Sequence, residues 1–345
     1  MMKYFLLLSI FCFYSCARPT PSYNLIPQNS KTKSLLIGLH ALDATTVWAS
    51  GTNATVIRTT DGGENWESFR YEKADTLQFR DIYGIDESSA YVLSIGEGST
   101  SQIFHFHLDS GWTQLYQAED SAVFLDAFDF WDESTGIVYG DAIDSLPYIL
   151  KTVDGGKTWD RLTNGLPLSG AGEGGFASSG TLVETGPDGQ AWIGTGAGGN
   201  ARIFHTKDYG NSWEAYPTPM VKGEAAGITS IRFSEGTLFM AGGDLGNADS
   251  HPNRTFFSTT NGKAWYPTAE PKTPGAFYGS AFANVGEKNV VILCGPKGAD
   301  ISLDLGQTWE KISPQTLWTC ELLTSGTGWI MGKGGKILKI VVDRS

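Results

Sequence analysis

The residues best suited to chemistry are three carboxylates in glycine-rich stretches, Asp141, Glu173 and Asp244. Two carboxyl groups that face one sugar can act as acid and base in glycoside hydrolysis, and an arginine can hold a substrate carboxylate through two hydrogen bonds. The further candidates for ligand contact are Arg80, Asp81, Asp126, Arg202, His251 and Lys297. A structural interpretation competes with these roles. Asp141 and Asp244 each follow a glycine and can cap turns, while the neighbours Arg80 and Asp81 can pair with each other.

Other familiar site chemistries lack support in the sequence. The histidines and cysteines show no zinc-ligand spacing, and Asp244, Asn247 and Asp249 depart from the spacing of a calcium-binding loop. Glycine-rich residues 194–199 follow a predicted strand and lead into another strand, so no helix N-terminus is available to hold a phosphate. We therefore predict neither a metal nor a cofactor.

A repeated eight-residue unit underlies these candidates, and its clearest copy is TVDGGKTW at residues 152–159. It recurs, intact or altered, at residues 59–66, 108–112, 206–213, 258–265 and 302–309. In the copy at 258–265 Thr260 replaces the aspartate, and the copy at 108–112 is shortened. Self-similarity at an interval of roughly 40–50 residues is typical of repeat architectures.

Each copy is predicted to form a tight hairpin turn. An aspartate can accept hydrogen bonds from backbone N–H groups ahead of it, glycine adopts the positive φ that the turn requires, and the tryptophan covers the turn with an apolar face. Repeated turn residues normally serve the repeat itself. We therefore assign a structural role to the aspartates of the unit, which are Asp61, Asp154, Asp208 and Asp304.

The unit, of the form S/T-x-D-x-G-x-T/S-W, resembles the Asp-box (BNR) motif of sialidases, two-domain xyloglucanases, sortilin-type receptors and the photosystem II assembly-factor family. The fuller repeat, in which Gly51 precedes the strand-like residues 55–59, is most similar to the assembly-factor family and its bacterial lipoprotein relatives. The resemblance extends over about residues 35–342. It implies a β-propeller in which these turns lie on the rim, away from the ligand-binding face.

We predict an all-β fold, a seven-bladed β-propeller of four-stranded antiparallel blades, from short strands at even spacing with turn residues between them. The inner strands are expected to begin near residues 35, 79, 124, 176, 227, 277 and 318. Only three strands follow residue 318, and an open ring would expose a sheet edge. Residues 23–27 are expected to close the last blade, since Pro27 is tolerated on an outer edge.

The N-terminal residues predict export and anchoring. Residues 1–15 have a lysine and a short apolar run typical of a signal peptide. Residues 13–16 resemble a loose lipobox, which predicts lipidation of Cys16; the alternative is an ordinary signal peptide cleaved a few residues later. Residues 16–33 then form a tether that includes the closing strand, and residues 34–345 form the propeller. The expected location is the cell envelope, on the periplasmic face of the outer membrane or at the cell surface.

Charge and cysteine content limit the partners. The formal net charge is −12 and no basic cluster is present, so a nucleic acid is not expected to bind. An anionic membrane would repel the propeller, which leaves the lipid anchor as the expected membrane contact, and we expect a monomer. Cys294 and Cys320 are expected either to pair between neighbouring blades or to remain buried thiols.

Two functional hypotheses follow. The first is a binding or assembly scaffold that holds a protein or glycan ligand on the channel face, opposite the repeated turns. The second is a carbohydrate-active enzyme, of glycoside hydrolase or sialidase type, that uses Asp141, Glu173 and Asp244. The sequence lacks the Arg-Ile-Pro element of sialidases and has one propeller, whereas the xyloglucanases have two. The enzyme hypothesis requires that the carboxylates of the channel face act on a bound substrate, whereas the scaffold hypothesis requires only that this face binds a ligand.

Overall fold

The computed structural model describes residues 22–74, 76–249 and 252–344. The predicted signal peptide, Cys16 and His251 lie outside the described residues. No helix in the described ranges has the length and apolar character needed to cross a bilayer.

The chain forms a seven-bladed β-propeller, and each blade is a four-stranded antiparallel sheet, as predicted. From inner to outer strand, blade one contains β2 (Leu36–Ala41), β3 (Val47–Gly51), β4 (Thr55–Thr59) and β5 (Glu67–Arg70); blade two contains β6 (Gln78–Gly84), β7 (Ser89–Ile95), β8 (Gln102–His107) and β9 (Gly111–Gln117). Blade three contains β10 (Leu125–Phe130), β11 (Gly136–Ile143), β12 (Leu146–Thr152) and β13 (Asp160–Leu162); blade four contains β14 (Val183–Thr185), β15 (Gln190–Gly194), β16 (Arg202–Lys207) and β17 (Glu214–Pro217). Blade five contains β18 (Ala226–Ser234), β19 (Thr237–Asp244), β20 (Thr255–Ser258) and β21 (Tyr266–Pro267); blade six contains β22 (Gly279–Val285), β23 (Lys288–Gly295), β24 (Gly298–Ser302) and β25 (Glu310–Ser313).

The last blade combines both ends of the described chain. Its strands, from inside to outside, are β26 (Leu317–Leu322), β27 (Thr327–Gly332), β28 (Lys336–Val342) and β1 (Tyr23–Asn29). Tyr23 pairs with Val342 at one end of the ladder and Asn29 with Lys336 at the other. Tyr23 and Leu25 also pack against the core between blades six and seven, so β1 contributes apolar contacts as well as backbone hydrogen bonds.

The core lies between the blades. Among the described residues it forms seven apolar clusters, one for each adjacent pair of blades. The central strands are therefore covered on both faces, and β3 and β4 are buried along their whole length. Outer strands such as β5 are mostly exposed. Burial on both faces explains why these strands show no alternation of buried and exposed residues.

The repeated turns join the third and fourth strands, on one face of the ring. In the copy at 152–159, Thr152 Oγ1 donates to Asp154 Oδ1 (2.9 Å) and accepts the Gly156 N–H (2.8 Å), while Asp154 Oδ1 also accepts the Thr158 N–H (2.9 Å). These hydrogen bonds, with the Thr158 N–H first, lower the pKa of Asp154 to about 2. In the altered copy Thr260 Oγ1 accepts the Ala264 N–H (2.8 Å), so a hydroxyl takes over one of the contacts made by the aspartate.

Candidate functional site

The two faces of the ring are formed by different connections. Links between successive blades, and between the second and third strands of each blade, lie together on the face that we call the loop face. The repeated turns lie on the opposite, turn face. Loops on a rigid scaffold are the usual place for binding residues, so the loop face is where a ligand site is expected.

A segment between blades three and four crosses the central channel. The sequence predicts an inner strand near residue 176; that prediction is wrong, because β14 begins only at Val183. Residues 176–181, the crossing segment, bind other blades instead of pairing within blade four. Ser179 Oγ donates to Tyr278 O (2.7 Å), and Thr319 Oγ1 donates to Ser179 O (3.3 Å).

Further hydrogen bonds fix the crossing segment on its other sides. Arg80 Nη1 donates to Ala177 O (3.1 Å), Ser178 Oγ donates to Thr229 O (3.3 Å) and Thr181 Oγ1 donates to Ser230 Oγ (2.7 Å). The segment thus joins blades two, five, six and seven. Its first residues line a cavity towards the loop face, and Gly180 and Thr181 line a second cavity on the opposite side. The channel is therefore divided into two compartments.

The compartment on the loop face, which we call the aromatic pocket, has a volume of about 390 Å³. Its walls include Phe124, Phe176, Tyr278 and Trp318. The Tyr278 and Trp318 rings meet edge to face, with centroids 4.7 Å apart and planes at 82°. Such large apolar faces with a few polar groups among them are typical of ligand pockets.

Irregular pairing in the inner strands directs polar and aromatic side chains into this pocket. Each of β6, β10 and β26 has one unpaired residue near its start, and these residues are Arg80, Asp126 and Trp318. A β-bulge leaves the extra residue outside the ladder and re-aims its side chain. All three bulged residues line the aromatic pocket, so equivalent positions of three blades converge there.

Two aspartates form a carboxyl pair at one end of the pocket. Asp141 Oδ1 accepts the Gly175 N–H (2.9 Å), whereas Asp126 Oδ2 has no hydrogen-bond partner among the described residues although Asp126 is only 1% exposed. Burial, followed by the adjacent Asp141 carboxylate, raises the pKa of Asp126 well above its usual value. Burial also raises the pKa of Asp141. The pair therefore retains a proton to higher pH than a solvated aspartate does.

Arg80 lines the same pocket, beside Tyr278. Its Nε is buried and has no partner in the described part of the chain, and the same is true of Trp318 Nε1. Burial lowers the pKa of Arg80 from its ordinary value. Three buried polar atoms in one pocket thus have no hydrogen-bond partner among the described residues, namely Asp126 Oδ2, Arg80 Nε and Trp318 Nε1.

Glu173 is held in a structural contact rather than exposed to a ligand. Its side chain is fully buried and forms an ion pair with Arg202 Nη2 (2.6 Å). It also accepts hydrogen bonds from Thr195 Oγ1 (2.7 Å) and the Gly170 N–H (2.8 Å). Burial by itself raises the pKa of Glu173, but the hydrogen bonds from Arg202, Gly170 and Thr195 outweigh it and the pKa is lowered. Glu173 therefore remains ionised and ties the loop before the crossing segment to blade four.

Two smaller depressions extend the aromatic pocket across the loop face. One of about 110 Å³ contains Asp244 and Lys297 and shares Leu245 and Tyr278 with the pocket. The other, of about 200 Å³, contains Glu173 and shares Asp141 and Gly175. We call the three together the furrow. Within it Asp244 caps a turn by accepting the Gly246 N–H (2.9 Å).

Asp81 faces the other compartment, the acidic chamber on the turn side of the crossing segment. It lines this chamber with Asp129, Glu184, Glu321 and Arg232. Arg232 binds Glu321 through Nη2 (2.7 Å) and Glu184 through Nη1 (3.3 Å). Arg80 and Asp81 therefore contribute to different compartments.

Buried charge dominates the acidic chamber. One guanidinium faces four carboxyl groups, and burial raises the pKa of each of them, that of Glu184 to about 8. Burial lowers the pKa of His40 at the edge of the chamber to about 4, and Arg232 acts in the same direction. Among the described residues no group of three or more His, Cys, Asp or Glu side chains is arranged to hold a metal ion.

Sequence reasoning named the polar residues of the pocket but missed its aromatic walls. Phe124 and Tyr278 lie just before the inner strands β10 and β22, and Trp318 is the second residue of β26. Phe176 belongs to the crossing segment, whose path depends on contacts with distant blades.

By its fold the protein is a seven-bladed β-propeller. The crossing segment blocks its central channel, which opens into the furrow on the loop face. No family model matches the sequence, and no curated protein matches it. Among solved structures, the chain is similar to YCF48 bound to a D1 peptide (18% identity, TM-score 0.66, covering 95% of this chain and 99% of that one). It is also similar to YCF48 from Cyanidioschyzon merolae (16% identity, TM-score 0.63, 91% and 98% covered) and to a streptogramin B lyase (18% identity, TM-score 0.64, 93% and 98% covered). At these identities the likeness establishes the fold.

Proposed function

We propose that the protein is a lipid-anchored scaffold of the cell envelope that binds a segment of a partner protein along the furrow. The observation that carries this proposal is the furrow itself, in which two smaller pockets each share lining residues with a larger aromatic centre. An extended peptide fits such a shape, because its backbone can follow the furrow while one side chain enters the central pocket. The similar structure of YCF48 bound to a D1 peptide supports the view that this type of propeller can hold a peptide.

The carbohydrate-active alternative receives less support from the geometry. It requires two carboxyl groups that are free to face a sugar. Glu173 is neutralised by Arg202, and Asp244 caps a turn. Asp141 retains an acid–base environment through its pairing with Asp126, but the two stand side by side at one end of the pocket. A bound glycan remains an outcome that the experiment below detects.

The test compares a variant that blocks the furrow with one that alters the surface elsewhere. Leu245 lines both the central pocket and its neighbour, so Leu245→Arg places a long side chain at their junction. Tyr266, an exposed aromatic on an outer strand, provides the matched control Tyr266→Arg. Purified parent and variants are screened against a displayed random peptide library and a glycan array.

We expect peptides selected on the parent to bind Tyr266→Arg equally and to lose at least tenfold in affinity for Leu245→Arg. If the parent protein binds glycans but no peptides, the proposal of a peptide ligand is wrong. Peptide binding that is indifferent to Leu245→Arg would place the site outside the furrow. Circular dichroism of each variant checks that the fold is unchanged.

The anchor is tested separately. If Cys16 carries lipid, the mature protein partitions into the detergent phase and Cys16→Ala yields a form that stays in the aqueous phase. An intact mass for the mature protein that begins at another residue and lacks acyl chains contradicts the anchor while leaving the binding proposal unaffected.

A further inference from the structure

Within the described residues, neither Asp126 nor Asp141 of the aromatic pocket forms an ion pair. Asp126 is 1% exposed, yet its Oδ2 has no hydrogen-bond partner in the described residues. A buried polar atom without a partner is unusual in a folded protein and calls for an explanation. Asp126 lines an open pocket and shares a proton-mediated contact with Asp141, so a cationic ligand that displaces this proton can supply a donor in its place.

The walls beside the pair suit the stem of a long cationic side chain. Phe124 and Phe176 line the pocket together with the edge-to-face pair of Tyr278 and Trp318. Aromatic faces attract ammonium and guanidinium groups and pack against their methylene stems. A volume of about 390 Å³ leaves room for such a side chain.

The charge already in the pocket is consistent with a cationic ligand. Arg80 donates to Ala177 O, stands beside Tyr278 and lines the same pocket as the carboxyl pair. With one proton on the pair, the single remaining carboxylate charge balances Arg80. A bound cation that replaces this proton leaves the net charge of the pocket unchanged, and the protein as a whole, with a formal charge of −12, attracts basic partners.

We propose that the aromatic pocket binds an arginine or lysine side chain of the partner segment, with its cationic group on Asp126 and Asp141 and its stem against Trp318 and Tyr278. This inference rests on the proposed function and specifies which residue of the partner enters the centre of the furrow. Two carboxylate groups with one unpartnered oxygen can receive a guanidinium through paired hydrogen bonds.

The experiment uses small probes, so that it does not depend on a known partner. Binding of Nα-acetyl-arginine N-methylamide to the purified protein is measured by calorimetry. The corresponding citrulline amide serves as a neutral probe of the same shape, and the glutamate amide as an anionic one. We expect the arginine probe to bind at least tenfold more tightly than either of the others.

Variants locate the site. Asp126→Asn keeps the shape of a protonated carboxyl, so we expect the fold to persist and the affinity for the arginine probe to fall at least tenfold. Asp109→Asn makes the same charge change at an exposed turn between β8 and β9 and should bind as the parent does. If Asp126→Asn fails to fold, Asp141→Asn, which is less deeply buried, provides the same comparison.

The pH dependence adds an independent readout. Protons and the cation compete for the pair, so the arginine probe should bind more tightly at pH 8 than at pH 5. The other ionisable groups near the pair or the pocket are Arg80, Tyr139, Glu173, Arg202 and Tyr278. Asp126→Asn leaves Asp141 without a neighbouring carboxyl group to share a proton. The affinity of this variant for the arginine probe should therefore depend less on pH.

Three results would overturn the inference: equal affinity for the arginine and citrulline probes, preference for the glutamate probe, or no effect of either aspartate variant. Preference for the glutamate probe would make Arg80 the recognition group. If the arginine probe fails while selected peptides still require an open furrow at Leu245, this inference falls and the proposed function stands. If peptides also bind independently of Leu245, both fall.

Discussion

At the scale of single residues, the repeated turns show how a short motif generates its own structure. The hydroxyl of Thr152 makes hydrogen bonds to both Asp154 and the Gly156 N–H, and Thr152 is 1% exposed. Thr59, Thr206 and Ser302 make the same contacts in their copies. In each of these copies a buried glycine N–H (Gly63, Gly156, Gly210 or Gly306) is therefore paired with a single hydroxyl.

Replacing that hydroxyl tests its importance. Thr152→Val preserves shape but leaves the Gly156 N–H without a partner, and a buried unsatisfied donor costs about 1–3 kcal/mol. We expect the free energy of unfolding, measured in urea, to fall by that amount. Thr113→Val on the exposed outer strand β9 is the matched control and should change it little. Equal stability of the two variants would show that water satisfies the turn.

At the scale of elements, β1 joins the two ends of the propeller. Besides its ladder with β28, it contacts blade one: Gln28 Nε2 donates to Gly62 O (2.9 Å) and Gln28 Oε1 accepts from Trp66 Nε1 (3.3 Å). The strand therefore covers the outer edge of blade seven and also ties that blade to the turn of its neighbour. An uncovered edge would offer unpaired N–H and C=O groups to other chains.

Two truncations separate the strand from the residues before it. A chain that begins at Ser22 keeps β1, whereas one that begins at Lys31 lacks it. The second loses a full ladder and the apolar contacts of Tyr23 and Leu25, so its melting temperature should fall by about 5 °C or more relative to the first. Matching melting curves would mean that blade seven is stable with three strands.

At the scale of the whole molecule, the ring encloses a chamber in which charge is only partly balanced. Arg232 of blade five reaches Glu184 of blade four and Glu321 of blade seven. Blades two and three add Asp81 and Asp129 to the same space. Breaking a buried pair by removing one partner is costly, so Arg232 is expected to hold these blades in register.

The chamber makes stability depend on pH. The pKa of Glu184 is about 8 in the folded protein, against roughly 4.3 when unfolded. Between these values the folded state binds the extra proton, so this contribution to stability is lost as the pH rises towards 8. The pKa of His40 is lowered to about 4 in the folded protein, against roughly 6.5 when unfolded. His40 therefore makes stability rise with pH, but only up to about pH 6.5. The groups facing Glu184 are His40, Asp81, Tyr83, Asp129, Arg232 and Glu321.

The interval from pH 6.5 to 8 therefore isolates the buried carboxyl groups. Glu184→Gln resembles the protonated side chain, so its free energy of unfolding should fall less than that of the parent over this interval, by about 1–2 kcal/mol. Glu72→Gln, at an exposed loop position, is the control. Parallel pH profiles for the parent and Glu184→Gln would mean that Glu184 is ionised throughout this interval in the folded protein.

The sequence by itself determined the blade count, the turns and most of the strands. These features rest on contacts between residues close in the chain, such as the hydrogen bond that the Thr158 N–H donates to Asp154 four residues earlier, and each is repeated. The prediction of a strand near residue 176 was wrong because the contacts of this segment are with residues far away in the chain. Its residues look strand-like, but their partners are Tyr278 and Thr319, about 100 and 140 positions away.

Only the tertiary structure decided the candidate site. Arg80, Asp126 and Trp318 are far apart in sequence and meet because bulges at equivalent positions of three blades point to one pocket. Glu173 and Arg202 were separate candidates in the sequence and proved to be partners. Closing the ring places the inner strands around one axis, so contacts across the channel depend on the position of every blade and not on any local pattern.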